Sequence, residues 1–260
     1  MSTVRGYAAP AFLIAALIGL WEIAAQWDLI SGALNIQDFL VPAPSDIARS
    51  LWEDRSLLAS DAWVTLKEVV LGFAIAAVAG VGFALAIHLS DLARRAIYPL
   101  LIGSQTIPIV VLAPILVVWF GFGITPKLVI VALICFFPIT VNTLDGLRSV
   151  DPDLVKMMRA LGASRLQRLR MVEAPAALPY AFSGAKVAVT VSVIGAVFAE
   201  YVGSSEGLGH LINQAQAQLL TARSFAAVVV LSMMAIGLFL LLTLLERRII
   251  TWNGRDVTNA

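Results

Sequence analysis

The stretch DPDLVKMMRALGASRLQRLRMVEAPAALP, residues 151–179, is markedly polar within the otherwise apolar second half of the chain. It predicts two short helices joined by a tight turn. Asp151 can cap the first helix, whose apolar residues recur at helical spacing along one face. Gly162 can end that helix in a left-handed conformation, and Ser164 can cap a second helix that Pro175 ends. We call residues 151–179 the elbow and expect this basic segment with an apolar face to dock a cytosolic partner.

Composition places the chain in a membrane. Of its 260 residues, 60% are hydrophobic and 13% are charged, and the mean hydropathy is +0.89. Because soluble domains carry about a quarter charged residues, the long apolar runs indicate an integral membrane protein. The net charge of +1 gives no global basic surface for nucleic acid. The single cysteine, Cys135, excludes an internal disulfide and a cysteine metal cluster.

The apolar runs predict six transmembrane spans, each close to the ~20 residues that a bilayer requires. We expect these spans at residues 8–27, 64–89, 96–120, 127–143, 180–202 and 225–245. Prolines interrupt the polar segment at 28–60, and Ser45 with Asp46 can start a short amphipathic helix there. The sequence therefore predicts an all-α integral membrane fold.

Three regions follow along the chain: the first span with an external amphipathic segment (1–58), a core of five spans (59–247) and a short cytoplasmic tail (248–260). Lysine and arginine indicate orientation, because they are enriched in cytoplasmic loops. With the N-terminus inside, inner segments hold 12 of the 18 basic residues, and outer segments with the outer span ends hold 5. Both termini and the elbow are therefore expected in the cytoplasm. The remaining basic residue, Lys186, lies within the fifth span and is expected to snorkel.

Short motifs exclude several chemistries. No segment carries the P-loop pattern G-x-x-x-x-G-K-[ST], so coupling to ATP would need a partner ATPase. The only two histidines, His88 and His210, cannot build a histidine-rich metal site. Residues 203–207, GSSEG, match G-x-S-x-G, but the nucleophile elbow of hydrolases requires a preceding strand. A membrane helix is expected there, and a flexible turn explains the small residues.

Polar residues and prolines inside the spans are candidates for a translocation pathway. Pro108 removes a backbone hydrogen bond that lipid cannot replace, and Ser104 and Gln105 lie beside it. The same kink can serve helix packing alone. Ser192 and Glu200 are further polar candidates, although Glu200 can equally lie at the outer interface. We expect Gln105 and Ser192 to face an interface between subunits, since polar groups in spans avoid lipid.

The fifth span carries small residues along its length. They are Gly184, Ala188, Ser192, Gly195 and Ala199. Because small side chains let membrane helices approach closely, we expect this span to pack at the centre of the bundle.

The elbow resembles a known signature. Gly162, nine intervening residues, Val172 and then Ala174-Pro175 are similar to the cytoplasmic-loop pattern in permease subunits of binding-protein-dependent type I ABC importers. Two positions depart from it: Lys156-Met157-Met158 replaces a frequent Glu-Ala-Ala, and Ala174 replaces a leucine. Segments along nearly the whole chain resemble the nitrate/sulfonate/taurine branch. They are VPAPSDI (41–47), TLKEVVLGF (65–73), LAPILVVWFGFG (112–123), VNTLDGLRSVDPDL (141–154), GLGHLINQAQ (207–216) and LLERRIITW (244–252).

This resemblance implies a homodimer of permease subunits in the bacterial cytoplasmic (inner) membrane, with spans two to six as the shared core. An ABC ATPase subunit would bind ATP and Mg below it, and a soluble substrate-binding protein would dock above it. The chain itself would hold no cofactor, metal or catalytic residue, and Glu200 would lie beside the outer gate. The elbow would be the coupling helix between spans four and five. Its coupling residues would be Met157, Met158, Ala160, Leu161, Gly162, Ala163, Arg165 and Arg168.

The branch resemblance implies a sulfonate, taurine or nitrate-like anion as the transported solute. SQTIPIVVLAP (104–114) with PYAFSGAKVA (179–188) instead resembles a sub-branch for thiamine-precursor pyrimidines. The alternative class is an ion-coupled secondary transporter, which favours inverted repeats and carboxylates near mid-span. The sequence shows neither feature convincingly.

Overall fold

The computed structural model describes residues 2–27, 32, 37 and 40–252 of the chain. No strand occurs in these residues, and the all-α class is confirmed. A π-helical turn, Leu169–Glu173, connects the helix that ends at Arg168 to the one that begins at Ala174. The α-helices are α1 (Ser2–Gln26), α2 (Pro44–Glu53), α3 (Arg55–Leu89), α4 (Asp91–Ser104), α5 (Ile109–Phe120), α6 (Ile124–Arg148), α7 (Pro152–Ala160), α8 (Arg165–Arg168), α9 (Ala174–Gly203), α10 (Leu208–Ala217) and α11 (Thr221–Ile249).

Four helical elements in the described part of the chain are long and apolar enough to cross a membrane: α3, α6, the continuous run Arg165–Gly203, and α11. They match the second, fourth, fifth and sixth predicted spans. Two shorter apolar helices, Phe12–Gln26 and Val111–Phe120, fall within the first and third. The chain is thus a multi-pass membrane protein, and the count of six spans stays a prediction.

The third predicted span, 96–120, is not one continuous helix. α4 and α5 are separated by a break at which Pro108 is the N-cap residue of α5. Pro108 has no N–H to donate and disfavours helical geometry in the residue before it. The Ser104 and Thr106 hydroxyls each donate to the carbonyl three residues earlier, at 2.7 and 2.8 Å. Both hydroxyls next to the break are therefore hydrogen-bonded within the chain.

Pro175 does not end the second elbow helix, and this prediction was wrong. α8 continues through the π turn into α9, so helical structure runs without interruption along Arg165–Gly203. The Ala174 N–H donates to the Leu169 carbonyl, five residues earlier, and Pro175 follows in the first turn of α9. Proline has no backbone N–H to donate. At this π turn the helix continues without a hydrogen bond from residue 175.

The structure divides into two compact units. One comprises the described residues of Met1–Val64 together with Glu206–Ser232. The other comprises Thr65–Ser205 with the described residues of Met233–Ala260. Both units are assembled from segments distant in sequence, and the linear division at 58 and 247 stays a prediction.

In the first unit, a carboxylate joins α1 to the start of α2. Glu22 accepts hydrogen bonds from the backbone N–H and the hydroxyl of Ser45, at 2.9 and 2.7 Å. The predicted short helix at Ser45 is present as α2, and Asp46 accepts the Ala43 N–H at 3.4 Å. The polar segment after α1 is therefore tied back to the end of that helix.

In the second unit, α6 and α9 approach closely at glycines. A Cβ added to Gly184 would lie 2.6 Å from the Pro138 carbonyl oxygen, and one added to Gly195 would lie 2.6 Å from Ile134 Cδ1. The whole predicted set of small residues is buried: Gly184, Ala188, Ser192, Gly195 and Ala199. The expected close packing of this helix is confirmed at Gly184, where an added Cβ would overlap backbone, whereas at Gly195 it would meet only the flexible end of a side chain.

An apolar cluster anchors the elbow to the second unit. Its buried members are Ala84, Ile87, Leu144, Leu147, Leu169 and Ala177. Leu169 lies in the π turn, whereas the others come from the C-terminal parts of α3 and α6 and from the first turn of α9. The second half of the elbow is therefore held by packing, which positions the first half beside it.

Candidate functional site

Hydrogen bonds within the elbow fix both ends of α7. Asp151 Oδ1 accepts a backbone N–H of the first turn at 2.8 Å, as predicted. At the C-terminal end, the Gly162 N–H donates to the Arg159 carbonyl at 3.0 Å. The Ala163 N–H donates to the Met158 carbonyl at 2.9 Å. These two bonds form a Schellman motif, and the φ of +82° at Gly162 confirms the predicted left-handed conformation.

The second elbow helix begins with a reciprocal cap. The Ser164 hydroxyl accepts the Gln167 N–H at 3.3 Å, and Gln167 Oε1 accepts the Ser164 N–H at 2.7 Å. This arrangement is a capping box, which satisfies two backbone donors at once. The predicted cap at Ser164 is confirmed, and four residues separate the start of α8 from the end of α7.

The elbow exposes large apolar side chains. The exposed fractions are 38% for Leu154, 54% for Met157, 79% for Leu161, 54% for Leu166 and 69% for Met171. We call these five side chains the elbow surface. Among the other predicted coupling residues, Ala160 and Gly162 are exposed, while Met158 and Ala163 are half-buried. Exposed apolar groups on an ordered segment are typical of a surface that a partner covers.

Two predicted coupling arginines reach backbone carbonyls. Arg165 Nη2 donates to the His88 carbonyl and Arg168 Nη1 to the Ala163 carbonyl, each at 3.4 Å. The His88 ring, in the last turn of α3, lies 2.9 Å from a Glu173 carboxylate oxygen in the π turn. These contacts link the elbow to the C-terminal end of α3, so movement of one is expected to move the other.

Three pathway candidates lie at the break between α4 and α5. Ser104, Gln105 and Pro108 are all exposed. The Ser104 hydroxyl is used within its own helix, as described above, whereas Gln105 occupies the C-cap position of α4. The break thus presents polar groups in the middle of an apolar segment, as the sequence suggested, and their role in a pathway stays a prediction.

The other two pathway candidates are enclosed. Ser192 is fully buried, and its hydroxyl donates to the Val189 carbonyl at 2.7 Å. Glu200 is also fully buried, and its Oε1 accepts the Thr65 hydroxyl at 2.6 Å. The expectation that Ser192 faces a neighbouring subunit does not fit this structure, since its own chain covers the side chain. The five candidates therefore do not share one solvent-facing surface.

A buried ionic cluster was missed by sequence reasoning. Lys127 Nζ donates to Glu68 Oε1 at 2.6 Å and to the Ser204 hydroxyl at 2.7 Å. The exposed fractions of Glu68, Lys127 and Glu200 are only 2%, 7% and 0%. Lys127 lies at the outer end of a predicted span, and that position does not by itself predict its pairing with Glu68. The available signal was an acidic and a basic residue in two different spans, each near an end.

Two other expectations concern single contacts. The Lys186 ammonium pairs with Glu246 of α11 at 2.9 Å, and its snorkelling stays a prediction. The G-x-S-x-G match, whose central serine is Ser205, lies at the end of the helix α9 rather than after a strand. Helical context thus removes the hydrolase interpretation of residues 203–207.

In the first unit, Asp54 and Arg223 form a bidentate ion pair. The Arg223 Nε and Nη2 atoms donate to the two carboxylate oxygens at 2.9 and 2.7 Å. This hydrogen bonding to Arg223 holds the pKa of the Asp54 carboxyl below its usual range. The pair borders a cavity of about 760 Å³ between α2 and the start of α11. The Asp54–Arg223 pair therefore contributes to stability at a pH above the ordinary pKa of an aspartate. This contribution is lost as the pH falls through the lowered pKa of Asp54.

Comparison with known proteins finds one matching family and similar permease proteins. Residues 72–251 match a family described as the binding-protein-dependent transport system inner membrane component. The formylaminopyrimidine transport permease protein of Halalkalibacterium halodurans is 35% identical over 97% of this chain and 99% of that protein. The taurine transport system permease protein of Escherichia coli is 28% identical over 93% of this chain and 88% of that protein.

A solved structure supports the fold. The inward-facing MetNI methionine ABC transporter superposes with a TM-score of 0.63 at 20% identity. The match covers 76% of this chain and 97% of that one. The two chains therefore share a fold.

Proposed function

Because this chain belongs to the family of binding-protein-dependent transport system inner membrane components, we propose that it forms the translocation pathway of an ATP-driven importer for a small organic solute. The family match covers the elbow, three of the four long helices in full and the second half of α3. It also favours an ATP-driven importer over the ion-coupled secondary transporter.

The observation that carries the proposal is the elbow surface. Its apolar side chains are exposed, although hydrogen-bonded caps and the packing of Leu169 hold the segment in a defined shape. Ordering a segment costs conformational entropy, so an ordered and exposed apolar face implies a partner that benefits from it. A groove on a soluble ATPase suits a short amphipathic helix of this kind.

The elbow would act as a rigid transmitter. ATP, with Mg, would bind the ATPase, and closure of the ATPase would push on α7. The contact between Arg165 and the His88 carbonyl, together with the His88–Glu173 bond, would pass that motion to α3. The π turn would pass it to α9, because helical structure continues through it. Two copies of the chain would form the pathway, and a soluble binding protein would deliver the solute.

For the solute, we propose a nitrogen heterocycle of the aminopyrimidine type rather than a sulfonate. The relative named for formylaminopyrimidine is more similar to this chain than the one named for taurine. Charge points the same way. Lys127 and Lys186, the lysines on α6 and α9, are each paired with a glutamate, which leaves neither free to attract an anion. Calorimetric titration of the cognate binding protein with aminopyrimidines and with taurine checks this assignment. Tight binding of taurine without binding of an aminopyrimidine would overturn it.

Gly162 provides the experiment that tests coupling. Apart from its chain neighbours, no atom of this protein lies within 4 Å of a Cβ built on Gly162, so within the chain a substitution there acts through the backbone conformation. A β-branched residue resists φ of +82°, whereas asparagine tolerates it. We expect Gly162→Val to insert into the membrane normally but to lose most binding-protein-stimulated ATP hydrolysis in liposomes. Gly162→Asn is the matched control and should retain most of it.

The readouts are co-purification of the ATPase and ATP turnover with binding protein present. Wild-type values for Gly162→Val in both would remove the elbow from the coupling mechanism. Loss of membrane insertion by both variants would instead show a structural role.

Orientation is a separate part of the proposal. The 12-to-5 distribution of basic residues supports a cytoplasmic elbow and an external α2. In a Cys135→Ala background, an impermeant thiol reagent added to spheroplasts should label a cysteine at Ser56 and spare one at Ser164. Labelling at Ser164 with protection at Ser56 would reverse the topology.

A further inference from the structure

A cavity of about 350 Å³ lies beside the elbow, within the second unit. The last turns of α3 and α6 and the first two turns of α7 surround it. Leu147 and Val155 provide apolar wall, and Arg148, Lys156 and Arg159 bring three permanent positive charges. Neither the pathway nor the elbow surface accounts for this concentration of cations around one concave space.

Charge in this cavity is poorly compensated. Glu173 is the one acidic residue among those that line it, and its carboxylate lies 2.9 Å from the His88 ring. Lys156 pairs with Asp153 at 2.8 Å, but these side chains are 74% and 83% exposed, and such pairs contribute little. Among the described residues, no carboxylate forms an ion pair with Arg148 or Arg159.

We propose that this cavity binds a phosphate group, supplied either by the headgroup of an anionic phospholipid or by a free phosphate compound. Guanidinium groups present planar, paired donors that match phosphate oxygens, and a lysine adds a point charge. Arg148, Lys156 and Arg159 line a concave cavity rather than a convex surface. Cations that serve only to orient spans in the membrane need no such cavity.

The position of the cavity makes both sources accessible. Arg148 lies in the last turn of a membrane-crossing helix, where phospholipid headgroups are found. Lys156 and Arg159 lie on α7, outside the crossing helices, where a soluble phosphate can reach them. A bound phosphate would bridge α6 to α7. It would thereby brace the elbow, a consequence that rests on the proposed coupling function.

The test uses the complete transporter, purified with its ATPase. The variant Arg148→Gln/Arg159→Gln removes two of the three cations. Arg94→Gln/Arg95→Gln, on the exposed side of α4, removes the same charge away from the cavity. Arg148→Lys/Arg159→Lys keeps the charge and checks that changes at these positions do not act through misfolding.

Two binding measurements separate the sources. Native mass spectrometry after exchange into nanodiscs of phosphatidylglycerol and phosphatidylcholine reports retained phospholipid. Phosphorus NMR titration of delipidated protein with inorganic phosphate reports the free anion. We expect the wild type, the control pair and the lysine pair to retain one of these ligands, and the Gln/Gln variant to bind it about tenfold more weakly or worse.

Retained phosphatidylglycerol that the Gln/Gln variant loses supports the site and identifies lipid as the source. Saturable phosphate binding that is lost in the same way supports the site with a soluble source. Absence of both, or equal binding by the Gln/Gln variant, overturns the proposal. Since these measurements do not need ATP, their failure leaves the coupling experiment on Gly162 unaffected.

Discussion

The contact between α6 and α9 and the elbow differ in what fixes their geometry. Between the two helices, Gly184 lets the Pro138 backbone of α6 approach to a distance that excludes a Cβ. In the elbow, no atom lies near a Cβ built on Gly162, and hydrogen bonds between residues a few positions apart set the shape. Packing between distant segments determines the geometry of the α6–α9 contact, whereas hydrogen bonds between nearby residues determine that of the elbow.

This difference separates stability from coupling. A larger side chain at the contact between α6 and α9 is expected to destabilise the second unit, because close-packed interiors cannot absorb added volume. A change in an elbow cap alters the direction of one short helix and leaves the packed helices in place. Abundance and thermal unfolding should therefore report the first region, and ATPase coupling should report the second.

Lys127→Met should produce the largest loss of stability. It leaves the buried Glu68 carboxylate without its ammonium partner at 2.6 Å, and a buried pair broken on one side costs about 3–5 kcal/mol. Thermal unfolding of detergent-purified protein measures the loss. Adding Glu68→Gln should restore part of it, since both charges are then absent.

Lys156→Met is the matched control in the elbow. Its ion pair with Asp153 is exposed, so we expect no measurable change in the unfolding temperature. Equal stability of the Lys127 and Lys156 variants would contradict the division between the two regions.

Gly184→Ala should have the next largest effect. The added Cβ would meet the Pro138 carbonyl oxygen at 2.6 Å, and overpacking of this kind costs about 1–3 kcal/mol. Gly237→Ala on α11 is the control, because nothing lies within 4 Å of its Cβ. Alanine favours a helix over glycine by about 1 kcal/mol. The two substitutions should therefore shift thermal unfolding in opposite directions, and a shift of the same sign in both would refute the close approach.

How far the sequence could predict each region follows from the same difference. Asp151, Gly162 and Ser164 act within their own turns, so residue type and spacing were enough to place both caps and the left-handed residue. The small residues along α9 likewise predicted its close packing. Contacts between distant segments were not available from pattern alone.

Three outcomes illustrate that limit. Glu68 and Lys127 are 59 residues apart, and their pairing depends on how α3 and α6 lie together. Pro108 predicts a kink, but the proline alone does not determine whether the span bends or breaks, and the structure has two separate helices there. Pro175 by itself predicts a helix end, since a π turn leaves no clear mark in the sequence.

Ser164→Ala should give the smallest effect and the most local one. It removes the hydroxyl that accepts the Gln167 N–H and breaks the capping box at the start of α8, at a typical cost of about 1 kcal/mol. Since Leu169 anchors the segment just beyond, we expect the loss to appear as faster amide hydrogen exchange at 164–168, with no change in the unfolding temperature. Ser164→Asp, which restores an acceptor at the same position, should return exchange to the wild-type rate. A lowered unfolding temperature for Ser164→Ala would instead mean that the elbow is part of the packed unit, and that local caps do not specify it independently.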